Sequence, residues 1–423
     1  MQTVIRQFFT LSCAAITLSL SAVASGAYYP AMIYSSPQTI SSGVTYRTAT
    51  HASPRWSIHI VEIDITNPNV ELVPVFKQAQ ALERTSSMAV RSDAVAAMNA
   101  GFFNTGTPYQ SVSYFLKDGH VVSNSGGNFS AIGFTSNHQV DVYRTKVAGG
   151  NVPADSTNWP RVVDTIAGIG SFTTTGGVAT VDNENWAASS TDVRHPRTMI
   201  GFRRTSPPRV WLVAVDGRQT ALSVGMTFTE EARFMADLGA EESVNLDGGG
   251  STTAWVKGQI KNSPSDGSER AVCTAWIVAP ANTVDNDDPE ATYTGSWASH
   301  APFDRFRSNS LKATGAAGTC TATWTPSLAD NGRYKVYAWW TAGADRADAV
   351  TYQVTHRDGT TNVSVDQRGN GGSWQLLGTF NLIAAPGAPK VSLSNDVTGV
   401  VAADAVRFVR ISELASVDTW ELY

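Results

Sequence analysis

The chain has 423 residues, 42% of them hydrophobic, and a formal net charge of -5 at pH 7. The length predicts two or three domains, and the composition indicates a globular protein, not a disordered or fibrous one. The acidic balance excludes a general attraction to nucleic acid or to an anionic membrane, so an anionic ligand would need a local cluster of arginines.

The first predicted element is a signal peptide over residues 1–27. Arg6 precedes an apolar run from Phe8 to Leu20, and the small residues AVASGA follow. This order is typical of a cleaved secretory signal, whereas a transmembrane anchor, the competing interpretation, needs a longer unbroken apolar run. We therefore predict a secreted or periplasmic protein that has no membrane contact after cleavage.

The first candidate site segment is AVAAMNAGFFNTG. A small apolar strand runs into Asn99, and Gly101 and Phe102 follow it. An asparagine at a strand end can orient a sugar hydroxyl, and a neighbouring aromatic ring can pack on the face of a sugar. The alternative is a pair of core phenylalanines beside a turn.

The second candidate segment is DVRHPRTMIGF, in which basic residues flank a proline just before a strand. His195 and Arg197 are the candidates. Guanidinium groups in a stiff segment suit bidentate binding of phosphate or carboxylate. A solvated surface turn is the alternative.

A strand–helix–strand unit follows. The continuous apolar run VWLVAV predicts a strand that is buried on both faces. Thr227 and Glu230 form a capping box at the start of a helix, and Gly239 stands where that helix should end. The next strand is SVNL, and such crossovers usually join parallel strands.

The two strands of this unit end in Asp216 and Asp247, which parallel strands would place at one sheet edge. Three glycines after Asp247 would let a ligand approach the backbone, and their amides could form an anion-binding nest. An ordinary tight turn is the alternative at each Asp. The candidates in NLDGGGSTT are Asn245, Asp247, Gly248, Gly249, Gly250 and Ser251.

The last candidate segment of the first domain is NSPSDGSERAV. Glu269 and Arg270 open its final strand, either as a surface ion pair or as a carboxylate and a guanidinium of the same site. The sequence lacks a GxxxxGK[ST] phosphate loop, an HExxH helix and a GxSxG elbow. We predict no cofactor and no metal site, with a divalent cation such as Ca²⁺ left open where carboxylates converge.

The pattern changes after Pro280. Residues 281–290, which include DNDDPE, are predicted as a solvated linker, with a Ca²⁺ site as the alternative. Short alternating runs separated by glycine- and Asp-rich turns then predict a β-sandwich over 291–423. Most tryptophans of this part are expected to pack in its core. Cys273 and Cys320 fall in different predicted domains, so two buried thiols are expected instead of a disulfide.

Five motifs in order, MNAGFFN, RHPRTMIGF, LVAVDGR, VNLDGGGSTT and ERAV, resemble the phosphodiester glycosidase family over roughly residues 57–279. The later motifs VDNDDPEATYTGSW, CTATWTPSLADNGRYKVYAWW and VVAADAVRF resemble the golvesin C-terminal domain. The resemblance implies an α+β catalytic domain over 28–280, a mixed sheet with helices, followed by an all-β sandwich that could bind carbohydrate.

The resemblance also implies cleavage between the anomeric carbon of a sugar and a phosphodiester oxygen. Asp247 is then the first candidate for nucleophile or base, with Asp216 and Glu269 as further carboxylates. Arg197 and Arg270 would hold the departing phosphate. Two alternatives stay open: a hydrolase of a phosphate-free polysaccharide, and a non-enzymatic cell-surface glycan-binding protein. The expected partner is a carbohydrate or sugar phosphodiester, and the sequence gives no oligomeric state.

Overall fold

The computed structural model of the protein describes the chain from residue 27 to residue 411 with several short gaps. The predicted signal peptide lies outside the described residues, apart from its last residue. The described ranges are 27–78, 81–117, 120–123, 130–135, 145–146, 162–184, 186–302, 304–307, 309–315, 318–385 and 389–411.

The N-terminal region, residues 27–280, consists of strands with a few helices. Its helices are α1 (Thr85–Arg91), α2 (Ala188–Thr191) and α3 (Phe228–Leu238), and Gly249–Ser251 forms one 3₁₀ turn. Its strands are β1 (Ile33–Tyr34), β2 (Gln38–Ser41), β3 (Val44–Ala52), β4 (Arg55–Ile63), β5 (Glu71–Phe76), β6 (Glu83–Arg84), β7 (Ala96–Asn99), β8 (Phe115–Lys117), β9 (His120–Ser123), β10 (Ser130–Thr135), β11 (Thr145–Lys146), β12 (Val162–Thr175), β13 (Val178–Asp182), β14 (Arg197–Arg203), β15 (Arg209–Val215), β16 (Glu242–Asn245), β17 (Ala254–Val256), β18 (Gln259–Ile260), β19 (Ala271–Val272) and β20 (Thr274–Ala279).

Two antiparallel sheets pack against each other in this region. The larger sheet has the order β1-β3-β4-β15-β14-β16-β12-β10-β11, and the smaller sheet has the order β18-β17-β7-β20-β5. Apolar side chains from both sheets form one continuous core, in which Leu212 of β15 and Trp276 of β20 are fully buried. The outer face of the larger sheet is covered by α3, and that of the smaller sheet by α1.

Strand β15 shows why these residues form this layered structure. Successive side chains of a strand point to opposite faces. Val210, Leu212 and Ala214 enter the core between the sheets, whereas Trp211 and Val213 pack beneath α3. All six residues of VWLVAV are therefore buried, as predicted.

Helix α3 begins and ends where the sequence predicts. The Thr227 hydroxyl accepts a hydrogen bond from the amide of Glu230, and the Glu230 carboxylate accepts one from the amide of Thr227. Gly239 ends the helix with a φ of 92°, a left-handed conformation that costs glycine little. The apolar side of the helix, including Phe234 and Met235, is buried against the larger sheet.

The pairing within the strand–helix–strand unit differs from the simplest expectation. β15 and β16 are parallel to each other, but β14 lies between them and is antiparallel to both. The carboxyl ends of β15 and β16 and the amino end of β14 therefore share one sheet edge. This edge, the site edge, brings Arg197 between the segments that carry Asp216 and Asp247.

The C-terminal region, residues 281–411, is built of strands in three sheets around a common core. The fold class, an α+β region followed by an all-β region, is thereby confirmed. Trp324, Trp339 and Trp340 are buried, as expected for core residues. The strands are β21 (Ala281–Val284), β22 (Ala291–Thr294), β23 (Ala298–His300), β24 (Ser310–Thr314), β25 (Thr321–Trp324), β26 (Gly332–Trp339), β27 (Val350–His356), β28 (Gly359–Val365), β29 (Gln375–Leu382), β30 (Lys390–Ser394), β31 (Val400–Ala403) and β32 (Ala405–Arg410).

The segment predicted as a solvated linker is different in the structure. Residues 281–284 form β21, which pairs with β32, and the following Asp285 and Asn286 are buried. Burial raises the pKa of Asp285 to about 8, against the opposing effect of Arg307. The acidic composition of DNDDPE suggested a solvated linker, but the segment leads directly from β20 into the sheets of the C-terminal region.

The structure also shows the state of the two cysteines and the length of the helices. Cys273 and Cys320 are both buried and free, so the two buried thiols are confirmed. Across the described ranges, no helix is both long enough and apolar enough to cross a membrane.

Candidate functional site

An open cavity of about 410 Å³ lies at the site edge. Nine of the residues predicted from the sequence line it, together with five that were not predicted. The predicted nine are Phe102, His195, Arg197, Asn245, Asp247, Gly248, Gly249, Gly250 and Arg270, and the other five are Ile169, Trp186, Ser189, Ser190 and Arg218.

Hydrogen bonds of its backbone amide and carbonyl hold Asp247 in place between the two sheets. Its amide donates to the carbonyl of Ala100 at 2.7 Å, and its carbonyl accepts from Nδ2 of Asn99 at 2.6 Å. Oδ1 of Asn99 in turn accepts from the Thr198 hydroxyl and from the amide of Thr253. Asn99 is fully buried, so it does not bind substrate as predicted. It ties β7 to β14 and holds the segment that carries Asp247.

The three glycines after Asp247 are explained by close approach. A side chain at position 248 would lie 2.5 Å from the carbonyl oxygen of Pro196, and one at position 250 would overlap Arg270 and Asp266. Gly249 has a φ of 61°, which favours glycine. The run therefore lets the backbone pass directly beneath the arginines of the cavity.

The predicted anion nest of glycine amides is wrong for two of its three members. The amide of Gly249 donates to the Pro196 carbonyl at 2.9 Å, and that of Gly248 bonds to the Asp247 carboxyl group. Both amides thus donate to groups of the protein itself, since the chain folds back on Pro196, and they are not available to an anionic ligand. Positive charge in the cavity comes instead from guanidinium groups.

The carboxyl group of Asp247 is electrostatically unusual. Burial raises its pKa from 3.8 to about 7, although a hydrogen bond from Ser251, the charge of Arg270 and the Gly248 amide all oppose this. Among the described residues that line the cavity, Asp247 is the one acidic side chain. A carboxyl group that titrates near neutral pH can gain and lose a proton under ordinary conditions, as acid–base catalysis requires.

Arg197 is a buried arginine with a rigid guanidinium group. Its Nε donates to the Met226 carbonyl at 2.8 Å, and one Nη donates to the carbonyls of Ser190 and Val193. The group lies 4.9 Å from the centroid of the Phe228 ring. The carboxyl group of Glu231 is 3.0 Å from Nε, yet neither of its oxygens accepts a hydrogen bond within the described part of the chain. Burial raises the pKa of Glu231 to about 8, with Arg197 opposing the rise.

We expect Arg197→Ala to lower the free energy of unfolding by about 3–5 kcal/mol, because it removes three hydrogen bonds to backbone carbonyls and leaves Glu231 without its counter-charge. The loss should be larger at pH 9 than at pH 6, where Glu231 is neutral. Urea denaturation at both pH values measures this, with the exposed Arg194→Ala as a control expected to change stability by less than about 1 kcal/mol. A change of that small size in Arg197→Ala would contradict the assignment.

Arg218 is the exposed arginine of the cavity. Its Nη2 lies 3.2 Å from Nδ1 of His195, and Nε2 of His195 lies 2.9 Å from the Ser189 carbonyl. An arginine only donates, so Nδ1 accepts and Nε2 carries the proton that is donated to Ser189. The His195 ring therefore orients Arg218. Arg218 itself adopts a left-handed backbone conformation, with a φ of 58°.

Arg270 is the third arginine of the cavity lining. Its Nε donates to the Asp266 carboxylate at 2.9 Å, and its Nη1 lies 3.5 Å from the hydroxyl of Ser251. Ser251 is fully buried beneath it and does not line the cavity, which differs from its predicted role in binding substrate. Together Arg197, Arg218 and Arg270 place three guanidinium groups around one cavity.

Two aromatic rings form a further part of the wall. Phe102 and Trp186 are stacked with their centroids 6.2 Å apart and an interplanar angle of 22°. Trp186 is 37% exposed, so a ligand can reach its ring. The pair offers a flat apolar surface beside the charged groups, with Phe102 partly buried against the core.

Asp216 lies at the site edge but does not line the cavity. Oδ2 accepts from the Ser57 hydroxyl at 2.8 Å and lies 3.3 Å from Nε2 of His59, and Oδ1 accepts from the amide of Ser263 at 2.7 Å. The structure therefore gives its predicted catalytic role no support. Asp216 anchors the turn that presents Arg218, two residues later.

Two other predicted residues also act outside the cavity. Both carboxylate oxygens of Glu269 accept hydrogen bonds from Ser86, at the start of α1. The amide of Gly101 donates to the Thr274 hydroxyl, and a side chain at this position would meet Ile166 and Ser113 at 2.9 Å. Neither residue lines the cavity.

Of the five lining residues that were not predicted, Arg218 had a signal in the sequence. It stands in VDGR, directly after the strand that ends in Asp216. Trp186, Ser189 and Ser190 come from a polar segment without a periodic pattern, and their place in the cavity depends on distant pairing. No group of three or more His, Cys, Asp or Glu residues suited to a metal ion occurs in the described ranges.

Comparisons with known proteins match two separate parts of the chain. Residues 92–279 match the model of the phosphodiester glycosidase family, and residues 282–410 match that of the Golvesin C-terminal domain. Both resemblances inferred from the motifs are thereby confirmed.

Three individual proteins illustrate these similarities. A xanthan lyase of Bacillus sp. (strain GL1) is 41% identical over 139 residues, 31% of this chain and 15% of the lyase. Golvesin of Dictyostelium discoideum is 31% identical over 131 residues, 30% of this chain and 22% of golvesin. The chain thus spans less than a quarter of either relative. The zebrafish N-acetylglucosamine-1-phosphodiester alpha-N-acetylglucosaminidase catalytic domain, auto-inhibited by its pro-peptide, is 22% identical and covers 60% of this chain and 85% of that chain, with a TM-score of 0.44.

Proposed function

We propose that the protein is a glycosidase that hydrolyses the bond between the anomeric carbon of a sugar and a phosphodiester oxygen. The observation that carries this proposal is the composition of the cavity: three arginines, one carboxyl group with a pKa near neutrality and an exposed aromatic ring. The match of residues 92–279 to the phosphodiester glycosidase family supports it.

The proposed organisation follows the predicted boundaries. Residues 1–27 are a signal peptide, and the mature chain is secreted or periplasmic. Residues 28–280 form the catalytic domain, and the sheets that follow are an accessory domain able to bind carbohydrate.

The leaving group determines what the cavity must supply. A phosphate monoester leaves readily, so protonation by a strong general acid is less important than stabilising its negative charge. Arg218 and Arg270 both line the cavity and can bind the phosphate oxygens. Arg197, held by carbonyls and Glu231, adds a fixed positive charge to the same cavity.

Asp247 then acts on the sugar side. In its ionised form it accepts a proton from a water molecule, whose oxygen forms a bond to the anomeric carbon. The carbon–oxygen bond to the phosphate breaks at the same time, and its electron pair leaves with the phosphate. Asp247 is the one carboxyl group among the described lining residues. It suffices for a single displacement, because the phosphate leaves without a second acid to protonate it.

We expect Trp186→Ala to raise KM about tenfold while kcat falls by less than threefold, because the ring packs on the sugar in both ground state and transition state. Steady-state kinetics on one sugar-1-phosphodiester measure this split. The matched control is Trp297→Ala, which removes a partly exposed tryptophan of the C-terminal region. An unchanged KM in Trp186→Ala would remove the ring from substrate binding.

The proposal is tested with a panel of substrates. The chain from residue 28 onward is offered sugar-1-phosphodiesters, including the α-N-acetylglucosamine compound, the matching phosphate-free glycosides and a neutral polysaccharide. We expect the phosphodiesters to release reducing sugar fastest, the matching glycosides to react far more slowly, and the polysaccharide to release none. Release from the polysaccharide alone would favour a phosphate-free hydrolase, and binding without any release would favour a non-enzymatic glycan-binding protein.

A further inference from the structure

A second cavity, the inter-region cavity, lies between the two regions of the chain. It is half open, has a volume of about 370 Å³, and is lined from one side by the smaller sheet and α1 and from the other by β26 and β32. No described residue lines both this cavity and the catalytic one. Ligand sites of this size occur preferentially where domains meet.

The walls of the cavity are held in place by ion pairs that join the two regions. Nζ of Lys335 lies 2.7 Å from the Asp93 carboxylate, and Nη2 of Arg407 lies 2.9 Å from that of Glu71. Both pairs connect a strand of the C-terminal region to the N-terminal region. The cavity is therefore a preformed space and not a loose gap.

One wall combines an aromatic ring with a cationic donor. Trp374 is braced by Phe306 and Trp339, whose ring centroids lie 5.0 and 5.3 Å from its own. The guanidinium group of Arg407 lies 5.9 Å from the Trp374 ring centroid. Nε of Arg407 is buried and has no hydrogen-bond partner among the described residues, which is costly for a charged donor.

The charge of the lining is unequal. Among the described lining residues, Arg91, Lys117 and Arg407 are cationic and Asp93 is acidic, while Glu83 and Glu71 outside the lining pair with Arg91 and Arg407. Tyr337 and the valines of β5 provide apolar surface next to these charges. A sugar ring can pack on the aromatic face, and an anionic substituent on that ring can accept hydrogen bonds from a guanidinium.

We propose that the inter-region cavity is a second binding site, distinct from the catalytic one, for a sugar unit that carries a carboxylate or phosphate group. Arg407 binds the anionic group, and Trp374 packs against the ring. The site would retain an acidic glycan on the protein while the catalytic cavity acts on another part of it.

Binding to the full mature chain tests this proposal with three probes: D-glucuronate, glucose 6-phosphate and neutral glucose. Ligand-observed NMR titration gives each affinity. We expect one or both anionic probes to bind at least about tenfold more tightly than glucose. Equal binding of all three probes, or no binding of any, would overturn the proposal.

Variants then locate the site. Val122 lies at the rim and is 47% exposed, so Val122→Trp should fill the cavity without disturbing the core and weaken binding about tenfold or more. Arg407→Gln should weaken it similarly. Val178→Trp, at a 56% exposed valine outside both cavities, should leave binding unchanged, as should Arg218→Ala, which removes a cation of the catalytic cavity. Binding that survives Val122→Trp but is lost in Arg218→Ala would place the anionic sugar in the catalytic cavity and refute a second site.

Discussion

Asp247→Asn is expected to lower kcat/KM for a sugar-1-phosphodiester by about 10³-fold while the fold is retained. The asparagine preserves the shape of the side chain but cannot accept a proton from water, and positioned acid–base groups contribute about 10²–10⁴ in rate. The backbone hydrogen bonds that hold this residue to Asn99 and Ala100 do not involve the side chain, so they remain. Steady-state kinetics with circular dichroism as the folding check measure this.

The same carboxyl group should determine the pH dependence. Its pKa is raised to about 7, and the ionised form is the one that accepts a proton. The kcat/KM of the free enzyme should therefore fall tenfold per pH unit below about 7 and level off above it. A profile that instead falls above pH 7 would make Asp247 a proton donor, and one without a step near 7 would remove it from the chemistry.

A matched variant controls for the loss of one carboxylate. Asp366→Asn changes an exposed aspartate of the C-terminal region that pairs with Arg368. Exposed pairs contribute little to stability, so this variant should keep full activity. If Asp247→Asn retained more than a tenth of the wild-type kcat/KM, the proposed role would be wrong.

Arg218→Ala is expected to produce the second large effect. Arg218 is exposed and bonds to His195, so its loss should barely change stability. Its removal should lower kcat/KM for a phosphodiester about 10²-fold or more, because it deprives the departing phosphate of one charged donor. For a glycoside with an uncharged leaving group the loss should be below about threefold. The contrast between the two substrates is the diagnostic quantity.

Arg368→Ala serves as the control for Arg218→Ala, since it removes another exposed arginine far along the chain. It should leave both rates at the wild-type level. Equal losses for the charged and the uncharged leaving group in Arg218→Ala would mean that this arginine orients the sugar and does not bind phosphate. Arg197→Ala is a weaker test of the same question, because it also destabilises the protein.

Local patterns in the sequence were sufficient to predict part of the fold and part of the candidate site. The boundaries of α3 follow from Thr227, Glu230 and Gly239, which act within a few residues of one another. The buried strand β15 and the strand that ends near Asp247 follow from apolar runs. The cluster of Asp247 with its glycines could be predicted because one segment carries all of it.

The rest depends on contacts between distant segments. The insertion of β14 between β15 and β16 could not be inferred, because strand pairing is non-local. The carboxylate of Asp216 turns to Ser57 and His59, which lie on β4 and are more than 150 positions away in the sequence. Trp186 likewise reaches the cavity by stacking on Phe102, from a segment with no regular pattern.

The proposed reaction breaks the bond between the anomeric carbon and the phosphate oxygen, and isotope labelling distinguishes this from cleavage at phosphorus. The enzyme hydrolyses a sugar-1-phosphodiester in water enriched in ¹⁸O, and the mass of the released phosphate monoester is measured by mass spectrometry. Its phosphate oxygens do not exchange with water on this timescale, so its mass reports which bond was cut. Cleavage at the anomeric carbon predicts a phosphate product without ¹⁸O. A product heavier by one ¹⁸O would show attack at phosphorus and contradict the proposed glycosidase.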